Sequence, residues 1–325
     1  MKLRIASTFL CLLIGIVATT PLSATQWHAT VGAQSHDMGR QVGAFLPNEM
    51  WIHVGDSIAW TFDANDIHTM TFLVSGELRP PFPVGCPPGP PPGITPSGSS
   101  FDGTHCVNSG PLVAAQSYTV RFPVAGNFKL TCLVHTDMTG VIHVLARSLP
   151  LPHDQAFYNR EATDTRRDLL ADRDFDNDMP NRAAHEVVAG HGEVTATPGG
   201  HDSLAVVRFT NHVMHIRVGQ TVEWSNADPG LPHTVTFGTQ PANPIPPSAN
   251  VTVDPDGALH ATIHSPWQNA HSGLLVAESQ DNIGLPQSPP GVTRFRVTFT
   301  KAGIFPYICA LHNNLGMRGE VIVSE

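Results

Sequence analysis

Long apolar runs are almost absent from this sequence. A membrane-spanning helix needs about 20 apolar residues in a row, and the one clear apolar run, Phe9 to Val17, is too short. Clusters of Lys or Arg are missing as well, and the formal net charge is −9, which argues against nucleic acid as a partner. Charge of either sign is scarce, at 14% of residues, while Gly (28) and Pro (29) abound. That mix disfavours a helical protein and favours short strands joined by many turns.

At 325 residues the chain has room for two domains of ordinary size, each with its own core. Residues 1–24 read as a signal peptide. Lys2 and Arg4 form a basic start, Phe9 to Val17 the apolar run, and Leu22-Ser-Ala24 a cleavage site. Cys11 lies inside the run rather than after a lipid-attachment box. The mature chain is therefore expected to be exported, periplasmic or extracellular, with no membrane span. Four cysteines remain after cleavage. Cys86 and Cys106 bracket a Pro-, Gly- and Ser-rich insertion, and in an exported chain a disulfide between them is expected. A further metal site is the alternative, but no His spacing accompanies it.

Histidine is as common as Lys and Arg together, 18 against 18, an enrichment that points towards metal. The most informative stretch is Tyr307-Ile-Cys-Ala-Leu-His-Asn-Asn-Leu-Gly-Met317. Cys309, His312 and Met317 form C-x2-H-x4-M, which suits copper: a thiolate and imidazoles bind both Cu(I) and Cu(II), and a long axial thioether completes a trigonal site. One loop cannot supply the second imidazole, and His233 in Leu231-Pro-His-Thr-Val-Thr-Phe237 offers it. A second quartet follows the same plan, with His68 upstream of Cys132, His135 and Met138.

The flanks of the two quartets align. Ile52–Trp60 matches Ile216–Trp224, His68–Phe72 matches His233–Phe237, and Gly126–Cys132 matches Gly303–Cys309. Two copies of one all-β unit, at 25–148 and 191–325, is the economical reading. Within the first copy, Glu49–Trp60 reads as a hairpin turning at Gly55-Asp56, and Asp66–Phe72 alternates as a half-buried strand does. Leu78 to Gly110 and Pro241 to Gly291 read as insertions. Residues 149–190 read as a linker with one amphipathic helix. Pro152 and Asp154 start it, and Tyr158, Ala162, Thr165 and Leu169 share a face. A polar, mobile stretch then runs to Gly190, and His185, His191 and His201 read as solvated linker side chains. Phe128 and Phe305, each four residues before its Cys, are expected to pack as core beneath the sites.

With these motifs, both copies resemble cupredoxins, the plastocyanin, azurin and amicyanin group of blue-copper proteins. Cys309-x2-His312-x4-Met317, followed by Gly319 and Val321, is similar to plastocyanin in spacing. The shorter Cys132-x2-His135-x2-Met138, followed by Gly140 and Val141, is similar to amicyanin. The resemblance implies two Greek-key β-sandwich domains and one type 1 copper ion in each. His68 and His233 are then the upstream ligands. His135 and His312 would lie nearest the surface, as electron ports for redox partner proteins docking over apolar surface. One departure stands out. Plastocyanin and azurin usually carry Asn after the upstream His, whereas Thr69 and Thr234 stand here, so the potentials of that group do not transfer.

The expected function is electron transfer by two mononuclear copper sites, without substrate chemistry. The alternative is a two-domain copper oxidoreductase resembling nitrite reductase or small laccase. Those enzymes need further copper held by extra His, often beside the blue-copper Cys or in His-x-His pairs. Here Thr131 and Leu133 flank Cys132, Ile308 and Ala310 flank Cys309, and no His-x-His occurs. Copper storage or delivery ranks lower, because the 8 Met residues are not clustered. His260, His264 and His271 match no metal spacing and read as mobile surface residues.

Overall fold

The computed structural model describes residues 23–81, 84–86, 93–135, 137–172, 183–277 and 292–325. Residues 1–22 of the expected signal peptide lie outside the described residues. Among those described, no helix is long and apolar enough to cross a membrane.

Each half of the chain folds as two layers of strands around its own core. In the first half, Gln26–Gln34, Arg40–Leu46, Ser57–Phe62 and Ser117–Arg121 form one layer. Glu49–His53, Thr139–Leu145, Gly126–Thr131 and Thr71–Phe72 form the other. The second half repeats the plan. Glu186–Thr197, Gly200–Phe209, Thr221–Ala227 and Arg294–Phe299 face Val213–Arg217, Arg318–Ser324, Gly303–Ile308 and Thr236–Phe237. This is the expected pair of β-sandwiches. Trp60, Phe72 and Phe122 fill one core, and Trp224, Phe237, Phe299 and Tyr307 the other. Phe305 is buried as expected, whereas Phe128 is half-buried and packs edge-on against Phe101 at the rim.

The turn at Gly55-Asp56 does not make a hairpin. Glu49–His53 pairs with Thr139–Leu145, and Ser57–Phe62 pairs with Gln26–Gln34. Both strands bury alternate residues, Met50 and Ile52 in one, Ile58, Trp60 and Phe62 in the other. They serve one core from opposite layers, so the chain crosses between layers at this turn. Gly55 takes φ +87 there, a left-handed conformation that suits glycine. Buried Asp56 fixes the crossing by accepting from Trp27 Nε1 (2.9 Å) and His53 N (3.1 Å). His68–Phe72 and His233–Phe237 are buried at every position rather than half-buried, because their polar members face the candidate site instead of solvent.

The helix Gln155–Ala171 forms where expected. Asp154 caps it by accepting from Phe157 N (2.8 Å). Tyr158 is fully buried, and its hydroxyl accepts from Trp51 N (2.8 Å) and donates to Trp51 O (3.1 Å). Ala162, Leu169 and Leu170 pack over Ala33, Val42, Ala44, Leu46 and Leu204. The remainder of the expected linker differs. A strand begins at Glu186 and buries Val187 and Ala189 in the second core. His191 lies in that strand and His201 in the next, not in a solvated linker. Nor does Pro241–Gly291 stand apart from the sheet, since Leu259–Ile263 within it pairs with Arg294–Phe299. In the first insertion, Cys86 and Cys106 form the expected disulfide.

One continuous sheet joins the halves, because Arg40–Leu46 pairs antiparallel with Gly200–Phe209. Gly32 and Gly190 mark matching bulges, with φ of +70 and +79. Counted from them, Val42 corresponds to Val206 and Gln41 to Ala205. The register pairs Gln41 with Ala205, its own counterpart, and Arg40 with Val206. A pseudo-twofold axis therefore passes through the Gln41–Ala205 pair.

Candidate metal centres

Each upstream His is fixed by its backbone. His68 exchanges two hydrogen bonds with Leu112 (both 2.9 Å), and His233 does the same with Leu275 (2.9 and 2.7 Å). Each ring backs onto a bulge glycine. A Cβ on Gly32 would stand 2.6 Å from His68 Nε2, and one on Gly190 would stand 2.2 Å from His233 Nε2. The other ligand candidates come from the Cys loops, which leave the strands Gly126–Thr131 and Gly303–Ile308. Cys132 N donates to Met138 O (3.0 Å) and Cys309 N to Met317 O (3.1 Å), so each loop closes Met onto Cys. The two extra residues of the second loop are taken up by a 3-10 turn at Asn313–Leu315, ended by Gly316 at φ +90.

The structure brings His68, Cys132 and His135 together in one cluster and His233, Cys309 and His312 in the other. In each, the ligand atoms lie within 4.8 Å of one another, and all six residues are buried. Cys132 Sγ lies 3.5 Å from His135 Nδ1, and Cys309 Sγ lies 3.5 Å from His312 Nδ1 and 3.9 Å from His233 Nδ1. Met138 and Met317 are buried as well. Burial opposes the thiolate, yet the adjacent imidazoles His135 and His68 hold the Cys132 thiol well below its ordinary range, and His312 and His233 do so for Cys309. Burial likewise opposes charge on His135, but the Cys132 thiolate and Asp66 bring its pKa up to about 10.

These donors fit a copper ion. Neither ring nitrogen of His68 has a hydrogen-bond partner although both are buried, an arrangement costly for imidazole unless something else binds it. His233 Nδ1 and His312 Nδ1 face each other at 3.1 Å, so their lone pairs converge with the thiolate on one point. A sulfur and two imidazole nitrogens, with a thioether at the loop end, is a donor set that favours copper.

Thr69 and Thr234, each next to its upstream His, hold the Cys loops. Thr69 Oγ1 accepts from Leu133 N (2.7 Å) and Thr234 Oγ1 from Ala310 N (2.6 Å), pinning the residue after each Cys. Thr69 N and Thr234 N lie 3.3 and 3.4 Å from the sulfurs. Behind them, Thr71 reaches Asn108 (3.0 Å) and Thr236 reaches His271 (2.8 Å). His271 is thus a buried, fixed residue of this network rather than a mobile surface one. His260 pairs with Asp254 and Thr298, and His264 with Thr300. Among the described residues these three form no metal cluster. The first insertion also supports its Cys loop, since Arg79 Nε and Nη2 donate to Cys132 O (3.1 and 2.9 Å).

The expected electron ports are not at the surface. His135 and His312 are 2% and 4% exposed, because the axis turns the two Cys loops towards each other. Between them lies Asp66, also buried. Its Oδ2 accepts from His135 Nε2 (3.0 Å), and its Oδ1 lies 4.0 Å from His312 Nε2. Burial alone would raise the Asp66 carboxyl, but His135 holds it far below the usual carboxylate range. In the second half, Asp228 Oδ2 faces His233 Nε2 at 3.6 Å, while Oδ1 accepts from Gly230 N and Leu231 N. Sequence reasoning missed both acids. Their signal was an Asp inside each short Trp-to-His segment.

Residues 195–324 match the family model described as copper binding proteins, plastocyanin/azurin family. A comparison with curated proteins returns no match. Among solved structures, the chain is similar to an oxidised amicyanin mutant, at 15% identity over 37% of this chain and 82% of that one, with a TM-score of 0.25. It is also similar to a mutant plastocyanin of fern, at 16% identity over 43% and 99%, TM-score 0.23. A purple cupredoxin from Nitrosopumilus maritimus follows at 22% identity over 43% and 98%, TM-score 0.20.

Proposed function

We propose that this is an exported electron-transfer protein, a tandem pair of cupredoxin domains with one type 1 copper site in each. The observation that carries the reading is the pair of buried His–Cys–His clusters whose ligand atoms converge. His68, Cys132 and His135 would hold one ion, with Met138 supplying a thioether. His233, Cys309 and His312 would hold the other, with Met317. Bound copper would supply one-electron chemistry. The protein's part is to fix the ligands. The glycine-backed upstream rings, the Thr hydroxyls on the Cys loops and the surrounding apolar cores hold the donors in place and exclude water. The Cys86–Cys106 disulfide suits an oxidising compartment outside the cytosol. With His135 and His312 buried, redox partner proteins would exchange electrons over another part of the surface.

Metal analysis with visible and EPR spectra of the copper-loaded chain tests this. Two coppers per chain with intense thiolate charge transfer and type 1 EPR is the expected result. Cys309→Ala should remove the second centre and leave the first coloured. A chain without thiolate charge transfer overturns the proposal, and additional copper of type 2 character would favour the oxidoreductase.

A further inference from the structure

We propose that Asp66 is a shared positioning residue that couples the two centres through His135 and His312. The inference rests on the reading that both centres hold copper. The pseudo-twofold axis turns the outer nitrogens of the two Cys-loop imidazoles towards one another, and one carboxylate stands between them. His135 Nε2 donates to Asp66 Oδ2 at 3.0 Å, and His312 Nε2 lies 4.0 Å from Oδ1. With Nδ1 of each ring turned to its own cysteine sulfur, Nε2 carries the proton and is the atom that meets the carboxylate.

The acid is held firmly. Its Oδ1 accepts from Ile67 N (2.8 Å), and the neighbouring Asn65 is tied to Gln34 and Met38. Met38 in turn packs against the second core, so the Asp66 loop is anchored in both halves. No acid occupies the matching place in the second half. Counting from Trp224 puts Gly230 there, and counting back from His233 puts Leu231 there. A buried anion beside a ligand imidazole makes the ring a better donor and favours the more highly charged metal. One carboxylate doing this for two rings makes the centres interdependent.

Spectroelectrochemical titration of four copper-loaded chains reads the effect: Cys309→Ala and Cys132→Ala, each with and without Asp66→Asn. Removing the charge should raise the potential of both retained centres. The shift should be larger at the Cys132 centre, roughly tenfold in the Cu(II)-to-Cu(I) affinity ratio, or 59 mV for one electron. A shift confined to the Cys132 centre, or none, overturns the proposal. The wild type gives a second reading without touching Asp66. Each centre of the doubly loaded chain should differ in potential from the same centre alone in its Cys→Ala variant, and identical potentials overturn the coupling. A wild type that binds no copper defeats the functional reading instead.

Discussion

Replacing Gly190 with alanine should damage the second centre and spare the first. Gly190 sits at φ +79, where a residue with a Cβ costs roughly 1–2 kcal/mol. The larger effect is steric. The new Cβ would stand 2.2 Å from His233 Nε2 and 2.7 Å from Cδ2 and Cε1. Ordinary contact between such atoms begins near 3.4 Å, so the ring or the strand has to move by about 1 Å. His233 has little room to yield, with its backbone bridged to Leu275 and Asp228 beside its outer nitrogen. Metal–ligand distances tolerate about 0.2 Å, so a displacement several times larger should weaken binding at least tenfold. Competition of the copper-loaded chain against a chelator, followed by visible absorption, measures this. Gly32→Ala is the mirror experiment on His68, with a milder overlap at 2.6 Å. Unchanged affinity and spectrum in Gly190→Ala would refute the idea that the bulge glycine seats the ligand. Equal damage to both centres would point to general unfolding.

Tyr158→Phe leaves Trp51 N without its side-chain partner at a partly buried site, and should lower stability by about 1 kcal/mol in denaturant titration. Thr234→Val strips the acceptor from Ala310 N. It should cost ~1–3 kcal/mol and shift the absorption of the second centre while leaving that of the first unchanged. Asp202 is buried, and burial brings its pKa up to about 7 although Asn48 donates to it. A carboxyl raised in the folded state contributes its stability below the unfolded pKa, near 4, and loses it as pH rises through 7. A carboxyl moved from near 4 to about 7 changes stability by about 4 kcal/mol at most. The stability difference between pH 5 and pH 8 should therefore be smaller in Asp202→Asn than in the wild type. An equal difference in both chains would show that Asp202 does not titrate in this window.

The two His–Cys–His clusters were legible because most of each lies in one short stretch of sequence. A cysteine, a histidine and a methionine share one short loop in each half, and the repeated flanks pointed to His68 and His233, which the structure does bring to the same clusters. The helix was legible too, since Asp154 and the Tyr158, Ala162 and Leu169 spacing carry their own capping and packing signals. What escaped depends on which strands face each other. The Gly55 turn looks the same whether its strands pair or cross a core, and only Thr139–Leu145 and Gln26–Gln34, remote in sequence, decide it. The strand at Glu186 was hidden by its polar surroundings, although Val187-Val-Ala189 was the clue. The burial of His135 and His312 follows from the pairing of Arg40–Leu46 with Gly200–Phe209, a contact between the halves that no motif in either one announces.

That joining register has the form of an isologous interface, in which the same strand of two subunits pairs with itself. The joining register gives one chain the layout of two like halves paired about an axis. In a dimer of identical subunits, an acid beside the axis would arrive twice, and two buried carboxylates at such close range repel so strongly that one is forced to take up a proton. A single chain is free of that constraint. One half carries Asp66, and the other has Gly230 or Leu231 at the equivalent place, so a single charge can stand where symmetry would have imposed two.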